Sequence, residues 1–514
     1  KKENLLFVDG RYTLQASIEC GKYFKIFEIP KIRPYEVISK IKKKLNLGFD
    51  PRLFTDFNLK FNFRNCCNLT PIKNNLIDQI KKKEKNSYKE FYSLNKFASG
   101  ENINSKLDRL TLILRKKKID NIFISAPENC AWLLNIRGFD NPNSPIPNCQ
   151  IIINKNRRIY FFSDLKKIRK IKKTINYKKI NFYRFEEFLH IVNKLSGKNF
   201  LIDGNSCSSF NKSIILSKFD IRSENDPCYQ LKAIKNQMEI KNMINAHIED
   251  GAALTKFLYW IKNKKKFNFT EIDAEKKLEK FRKKNINFLY PSFNTIAGSG
   301  PNGAIIHYRA NNNSNRKINK KDIFLCDSGG QYKYGTTDVT RTICFSKPST
   351  KIKNIFTRVL KGHIAVVNTN LNKVNTGEEI DKKARFFLRK VNLDYGHGTG
   401  HGVGYFLNVH EGPQAISKYN NVKILPGMIL SNEPGYYEKN KFGIRIENLI
   451  YVEKNKNNIF FKNLTLAPID TDLINYDMLD ASEKKYLFNY HKDIYRKISK
   501  FLNYNEKKWL SSLI

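Results

Sequence analysis

Acidic residues are scarce in this sequence: 48 Asp and Glu stand against 93 Lys and Arg, a net charge of +45 over 514 residues. Such an imbalance raises nucleic acid or an anionic membrane as partner. The surplus, however, is mostly Lys, spread in short runs at 42–44, 81–83, 116–118 and 264–266 and mingled with Asn. That is the pattern of a compositional bias, such as an AT-rich genome produces, carried on a solvated surface, so no specific nucleic-acid partner is expected. Any run of about 18 uncharged apolar residues is also missing, which argues against a membrane-spanning helix and a membrane partner. The stretch Lys1 to Val8 lacks a basic-then-apolar run ending in small residues, so no secretory signal is expected. Nine cysteines, an odd number with no C-x-x-C pair, suit neither a disulfide framework nor a thiolate zinc site. A cytoplasmic location is the expectation.

What the sequence does contain is globular: 41% apolar and 13% aromatic residues. Its length exceeds what one hydrophobic core organises, so two or three domains are expected. Apolar runs at Leu5–Val8 and Tyr23–Ile29 and basic helical patches fill the first part, which closes on the charged stretch 80–85, a linker by composition. From Leu107 an α/β rhythm begins, with a helical segment through Leu114 and strand patterns at Asn121–Ser125, Gln150–Ile153 and Arg158–Phe162. A long packing helix opens near Leu231, with Asn236-x-x-Glu239 in the form of a capping box. From Pro291 to Glu447 glycine-rich turns alternate with short strands, and the chemistry is expected there. We divide the chain at 1–95, 96–225 and 226–514 and expect an α/β (α+β) architecture throughout.

Asp327 ends the apolar strand Ile323–Cys326, and Asp338 follows eleven residues on, after Gly329, Gly330 and Gly335. A hairpin there places both carboxylates near one end of its two strands. His401 sits in Gly396-His397-Gly398-Thr399-Gly400-His401-Gly402-Val403-Gly404, where glycines permit close approach of the backbone to an ion or substrate. A phosphate cradle is disfavoured because no Lys-Ser/Thr pair follows. Glu433 follows the strand Met428–Asn432 and precedes Pro434, and alternation in Ile444–Asn448 turns Arg445 and Glu447 to one face, with Ile444 and Ile446 toward the core. Four of the eight histidines, His307, His397, His401 and His410, fall in these glycine-rich segments, which favours function for His307 and His410. His363, in a helical stretch, reads as structural.

Asp327, Asp338, His401, Glu433 and Glu447 together supply four carboxylates and one imidazole. Buried without cations, the four negative charges would be prohibitively costly, so two divalent ions are expected to balance them. Oxygen-rich ligation with one nitrogen favours manganese, cobalt, ferrous iron or zinc. Two such ions sharing a water activate it for attack on a carbonyl.

In this order the residues resemble those of the pita-bread metallopeptidase superfamily, which includes methionine aminopeptidase, prolidase, creatinase and aminopeptidase P. More closely, Gly300–Tyr308, Tyr334–Thr342, His397–Gly404, Val409–Pro413 and Glu433–Tyr437 resemble the eukaryotic three-domain cytosolic aminopeptidase P. Asp9–Tyr12 is similar to the late part of that family's first domain, Ala131–Gly138 to its second, and Leu466–Ile469 and Asn489–His491 to its C-terminal end. The resemblance implies a pita-bread catalytic domain preceded by two creatinase-like domains, the first truncated because most of its usual N-terminal half is absent.

It further implies that Asp327 binds one ion, that Asp338 and Glu447 bridge both, and that His401 and Glu433 complete the other. His307 and His410 would orient the scissile carbonyl and stabilise the tetrahedral intermediate, and His397 and Arg445 would help shape the proline-side pocket; in the mechanism we expect, Glu433 or a nearby acid handles the proton. Manganese and a homodimer are the family's usual metal and state. The implied activity is removal of one residue from peptides with proline second, by a hydroxide shared between two ions. Two rivals differ in testable ways: a prolidase would act on dipeptides only, and a metal-free binding module on the same fold would have lost metal ligands.

Overall fold

In a computed structural model of the chain, residues 3–41, 45–80, 88–264, 266 and 268–514 are described. The linker expected at 80–85 and the lysine runs at 42–44 and 81–83 fall outside them, apart from Ile80. The chain forms two compact units, one of Lys1–Asp9 with Tyr23–Lys232, the other of Gly10–Lys22 with Ala233–Ile514.

The first unit is built on a six-stranded sheet in the order Ile180–Tyr183, Ile159–Ser163, Cys149–Asn154, Asn121–Ile124, Asn199–Ile202 and Asp220–Ser223. Cys149–Asn154 runs antiparallel to both neighbours, and the remaining pairings are parallel. The strands expected at 121, 150 and 158 are these, each within a residue or two of its predicted start. Helix Ile103–Lys116 buries Ile103, Leu107, Leu110 and Leu114, spaced three and four apart, and Asn102 caps it by accepting from the Ser105 amide at 2.9 Å. Leu5–Asp9 pairs in parallel with Lys25–Ile29, and Leu45–Phe49 with Cys67–Pro71.

The second unit begins with the short helix α1 (Thr13–Glu19) and resumes at α2 (Gln237–Lys262) and α3 (Glu271–Arg282). The long helix expected from Leu231 is interrupted: Pro227–Ala233 is a separate helix, and Asn236 takes an extended backbone to become the N-cap of α2. The capping box is real, with Asn236 Oδ1 accepting from the Glu239 amide at 3.0 Å and Glu239 Oε2 from the Asn236 amide at 2.9 Å. Strands β1 (Ile296–Ser299), β2 (Ile323–Ser328) and β3 (Val339–Cys344) form an antiparallel sheet, and Leu254, Phe257, Leu258 and Ile261 of α2 with Ala274 and Leu278 of α3 pack on its apolar face.

After α4 (Thr350–Val367) and α5 (Gly377–Arg389) come β4 (Gly400–Gly402), β5 (Glu411–Ile416), β6 (Ile429–Asn432), β7 (Gly435–Glu438), β8 (Phe442–Arg445), β9 (Asn448–Asn455) and β10 (Asn458–Asn463). A five-stranded sheet runs β5-β4-β6-β9-β10, and β7 pairs with β8 as a two-stranded ribbon. Val366, Val367, Ile380 and Ala384 of α4 and α5 bury Leu430 and Ile450 of the larger sheet. Helices α6 (Ala481–Ile498) and α7 (Tyr504–Ser511) close the chain, with Leu487, Tyr490, Ile494 and Leu510 in the core that also holds Ile444 and Ile446. Among the described residues no helix is long and apolar enough to cross a membrane.

Candidate metal centre

Asp327, Asp338, His401, Glu433, Glu447, His307, His397, His410 and Arg445 all line one cleft of about 600 Å³ in the second unit. Asp327 lies near the end of β2 opposite Thr340 of β3, and Asp338 immediately precedes β3, so the antiparallel hairpin brings the two carboxylates to one end. The intervening turn is anchored from behind, where Asp250 of α2 accepts from Thr337 Oγ1 at 3.0 Å and pairs with buried Arg282 at 2.7 Å.

His401 lies in β4, between β5 and β6. Its Nδ1 faces the Gly402 carbonyl at 2.9 Å and must donate to it, which leaves Nε2 as the ring atom turned to the carboxylates. That Nε2 lies 3.5 Å from Asp338 Oδ2 and 3.4 Å from Glu433 Oε1. Asp338, His401 and Glu447 each present a ligand atom within 4.8 Å of the others. A Cβ on Gly400 would meet the Ser431 carbonyl oxygen at 1.9 Å, so this glycine admits the neighbouring strand. The segment also runs into a strand, where a phosphate-binding loop would run into a helix.

Glu433 follows β6, and Ser431 Oγ donates to its Oε1 at 3.0 Å. The single strand expected across 444–448 is broken. Arg445 ends β8, and Glu447 lies in the gap before β9, where the chain passes from the ribbon to the larger sheet. Alternation survives the break, since Ile444 and Ile446 are in the core while Arg445 and Glu447 line the cleft. Thr340 Oγ1 joins them, donating to Glu447 Oε2 at 2.8 Å and accepting from Arg445 Nε at 3.0 Å. Arg445 also donates to Asp327 Oδ2 and to the Tyr437 hydroxyl, both at 2.6 Å, and that hydroxyl lies 2.9 Å from His397 Nε2.

Burial, then the negative charges of Asp327 and Glu433, push the Asp338 carboxyl well above the usual range. Burial, then Asp338, Glu433 and Asp327, do the same to Glu447, and burial raises Glu433. His410, whose ring is 4.3 Å from that of His401, is held down to about 3 by charge on His401 and by burial. His397 is driven well below the usual range by burial and by Arg445. Both imidazoles are therefore neutral at pH 7.

A carboxylate cluster with one arginine as its close cation has the character of a cation site. Asp327 Oδ1 is buried with no hydrogen-bond partner among the described residues, and His401 directs its Nε2 toward Asp338 and Glu433. Oxygen donors with one imidazole fit divalent ions of the manganese, cobalt, iron and zinc type. A second group, Cys344 with Asp470 and Asp472, is already satisfied: Lys262 donates to Asp470 and to Asp472, each at 2.8 Å.

Sequence reasoning gave no role to Arg11, Tyr12 and Gln15, which also line the cleft. Tyr12 and His307 meet edge to face, with ring centroids 4.9 Å apart. His363 is structural as expected, buried and bonded through Nδ1 to the Asn432 carbonyl at 3.1 Å.

Residues 241–454 match the model of metallopeptidase family M24, residues 82–239 that of the creatinase/prolidase N-terminal domain, and residues 458–513 that of the C-terminal region of peptidase M24. A probable Xaa-Pro aminopeptidase P of Ajellomyces capsulatus is 36% identical over 98% of this chain and 88% of its own length. Xaa-Pro aminopeptidase 1 of Dictyostelium discoideum is 36% identical over 99% of this chain and 87% of its own. The crystal structure of X-prolyl aminopeptidase from Caenorhabditis elegans, described as a cytosolic enzyme with a di-nuclear active site, superposes with a TM-score of 0.92 at 29% identity, covering 100% of this chain and 88% of that one. The Xaa-Pro dipeptidase of Bacillus anthracis superposes less fully, with a TM-score of 0.60 at 25% identity over 72% of this chain.

Proposed function

The chain belongs to the Xaa-Pro aminopeptidase P family, a creatinase-type N-terminal region followed by an M24 pita-bread catalytic domain, and from that premise we propose that it removes the first residue from peptides whose second residue is proline. One observation carries the reading: four carboxylates and one imidazole from five separate segments converge on a single cleft. Asp327, Asp338, His401, Glu433 and Glu447 would hold two divalent ions, manganese by the family's habit. When bound, such ions polarise the scissile carbonyl and lower the pKa of water.

The chain's own residues do the rest. His307 and neutral His410 donate hydrogen bonds that orient the carbonyl and hold the developing oxyanion. Glu433, whose Oε1 accepts from Ser431 Oγ, takes and passes the proton. His397, fixed through Tyr437 and Arg445, borders the proline side. Proline gives such an enzyme its purpose, since a tertiary amide lacks the N–H that general peptidases read.

The proposal extends to a cytoplasmic homodimer and to a three-part division at 1–95, 96–225 and 226–514, the first two parts creatinase-like. Nine free cysteines and the C. elegans relative described as cytosolic support the location. The test is hydrolysis of Arg-Pro-Pro by manganese-loaded protein, by chelated protein and by Glu433→Ala, beside an Arg-Pro dipeptide. Free Arg from the tripeptide, lost on chelation and in the variant, is the expected result. Cleavage of the dipeptide alone would move the reading to prolidase.

A further inference from the structure

His307 stands midway along the loop between β1 and β2, and the two ends of that loop are tied to one buried carboxylate. Glu271, the first residue of α3, is fully buried. Its Oε1 accepts from the Ser299 amide at 2.7 Å and from Asn302 Nδ2 at 3.1 Å. Its Oε2 accepts from the Tyr308 hydroxyl at 2.8 Å, from the Arg316 amide at 3.0 Å and from Asn302 Nδ2 at 3.1 Å. Every one of these donors belongs to residues 299–316, the segment that carries His307, and every one is neutral.

The position of Glu271 in α3 does not explain this. The helix already has a cap, because Thr270 Oγ1 accepts from the Asp273 amide at 3.3 Å and Asp273 Oδ2 from the Thr270 amide at 2.9 Å. The Glu271 side chain is thus free of that duty and turned to the loop. Burying a carboxylate without a cation is expensive, and the expense is met here by gathering donors from both ends and the middle of one segment. Ser299 precedes the 3-10 turn Gly300–Ala304 and Tyr308 follows His307 directly, so the imidazole is bracketed by two anchored points.

We infer that Glu271 is a positioning residue for His307: its carboxylate fixes the 299–316 loop so that the imidazole is held toward the metal cluster. The inference rests on the reading of His307 as a carbonyl-orienting group. A displacement of about 1 Å at such a group costs about 100-fold in rate. Glu271→Ala should therefore lower kcat on Arg-Pro-Pro by about 10- to 100-fold with KM nearly unchanged, and leave the manganese content per chain as it is.

The deciding experiment is a double-mutant cycle on manganese-loaded protein with Glu271→Ala, His307→Ala and the pair. If Glu271 acts through His307, the pair is no slower than His307→Ala alone. Losses that multiply, or loss of manganese in Glu271→Ala, overturn the inference. Should Glu271→Ala not fold, Asn302→Ala, which removes the donor shared by both carboxylate oxygens, replaces it in the same cycle. Wild-type protein without peptidase activity would sink the proposed function itself. Full activity in His307→Ala would instead sink the role of His307, and this inference with it.

Discussion

Asp338 and Glu447 work against the fold unless cations lie between them. Burial and neighbouring carboxylates push both groups up, Asp327 and Glu433 acting on Asp338, and Asp338, Glu433 and Asp327 on Glu447, so without metal the folded chain binds more protons than the unfolded chain above the ordinary values of 3.8 for Asp and 4.5 for Glu. Stability of the chelated protein therefore falls as pH rises through that interval. Replacing one charge should relieve the strain: in chelator at pH 7, Asp338→Asn is expected to unfold about 2–4 °C above wild type by calorimetry. With manganese present the order should reverse, and equal midpoints in chelator would contradict the repulsion argument. The side chains that make this cluster were legible one by one, because Asp, Glu and His beside glycine at strand ends have few bland explanations. Glu271 was not legible, since a glutamate opening a helix is ordinary in sequence and only its partners make it otherwise. Arg11 and Tyr12 were visible as letters in a familiar motif, but nothing in the sequence places them beside His307.

The strands tolerate little change where glycine lets two backbones touch. A Cβ on Gly443 of β8 would meet the Gly303 carbonyl oxygen at 1.8 Å, forcing the ribbon from the turn that leads to His307. Gly443→Ala should destabilise the second unit by about 2 kcal/mol or more, the range for overpacking against rigid neighbours. Urea denaturation measures it, and a variant within about 0.5 kcal/mol of wild type would show that the contact relaxes freely. Elements with a clean period were predicted well: the strands at 121, 150 and 158 and the amphipathic helix over 107–114 show alternation or i, i+3, i+4 spacing within a few residues. Errors arose where tertiary context overrode local pattern. The helix expected from Leu231 splits because Asn236 caps, and the strand expected across 444–448 breaks because Ile446 and Glu447 donate their amides to Pro434 and Thr340 outside any ladder.

Two compact units imply two cooperative transitions. The proposed metal ligands lie in the second, so chelation should lower one calorimetric midpoint and leave the other in place, by the linkage of binding to stability. A single transition that moves as a whole would mean the units unfold as one. The second unit is also discontinuous, for it takes in Gly10–Lys22 from early in the chain. Roughly 300 residues separate Tyr12 from His307, and at about 5–20 residues per second of synthesis roughly 15–60 s pass between their emergence from the ribosome. One wall of the cleft is therefore made first and waits while the intervening unit is translated. Glu447 arrives later still. A nascent peptidase of this construction stays inert through most of its own synthesis and gains its activity only when its last strands reach the segment that has waited for them.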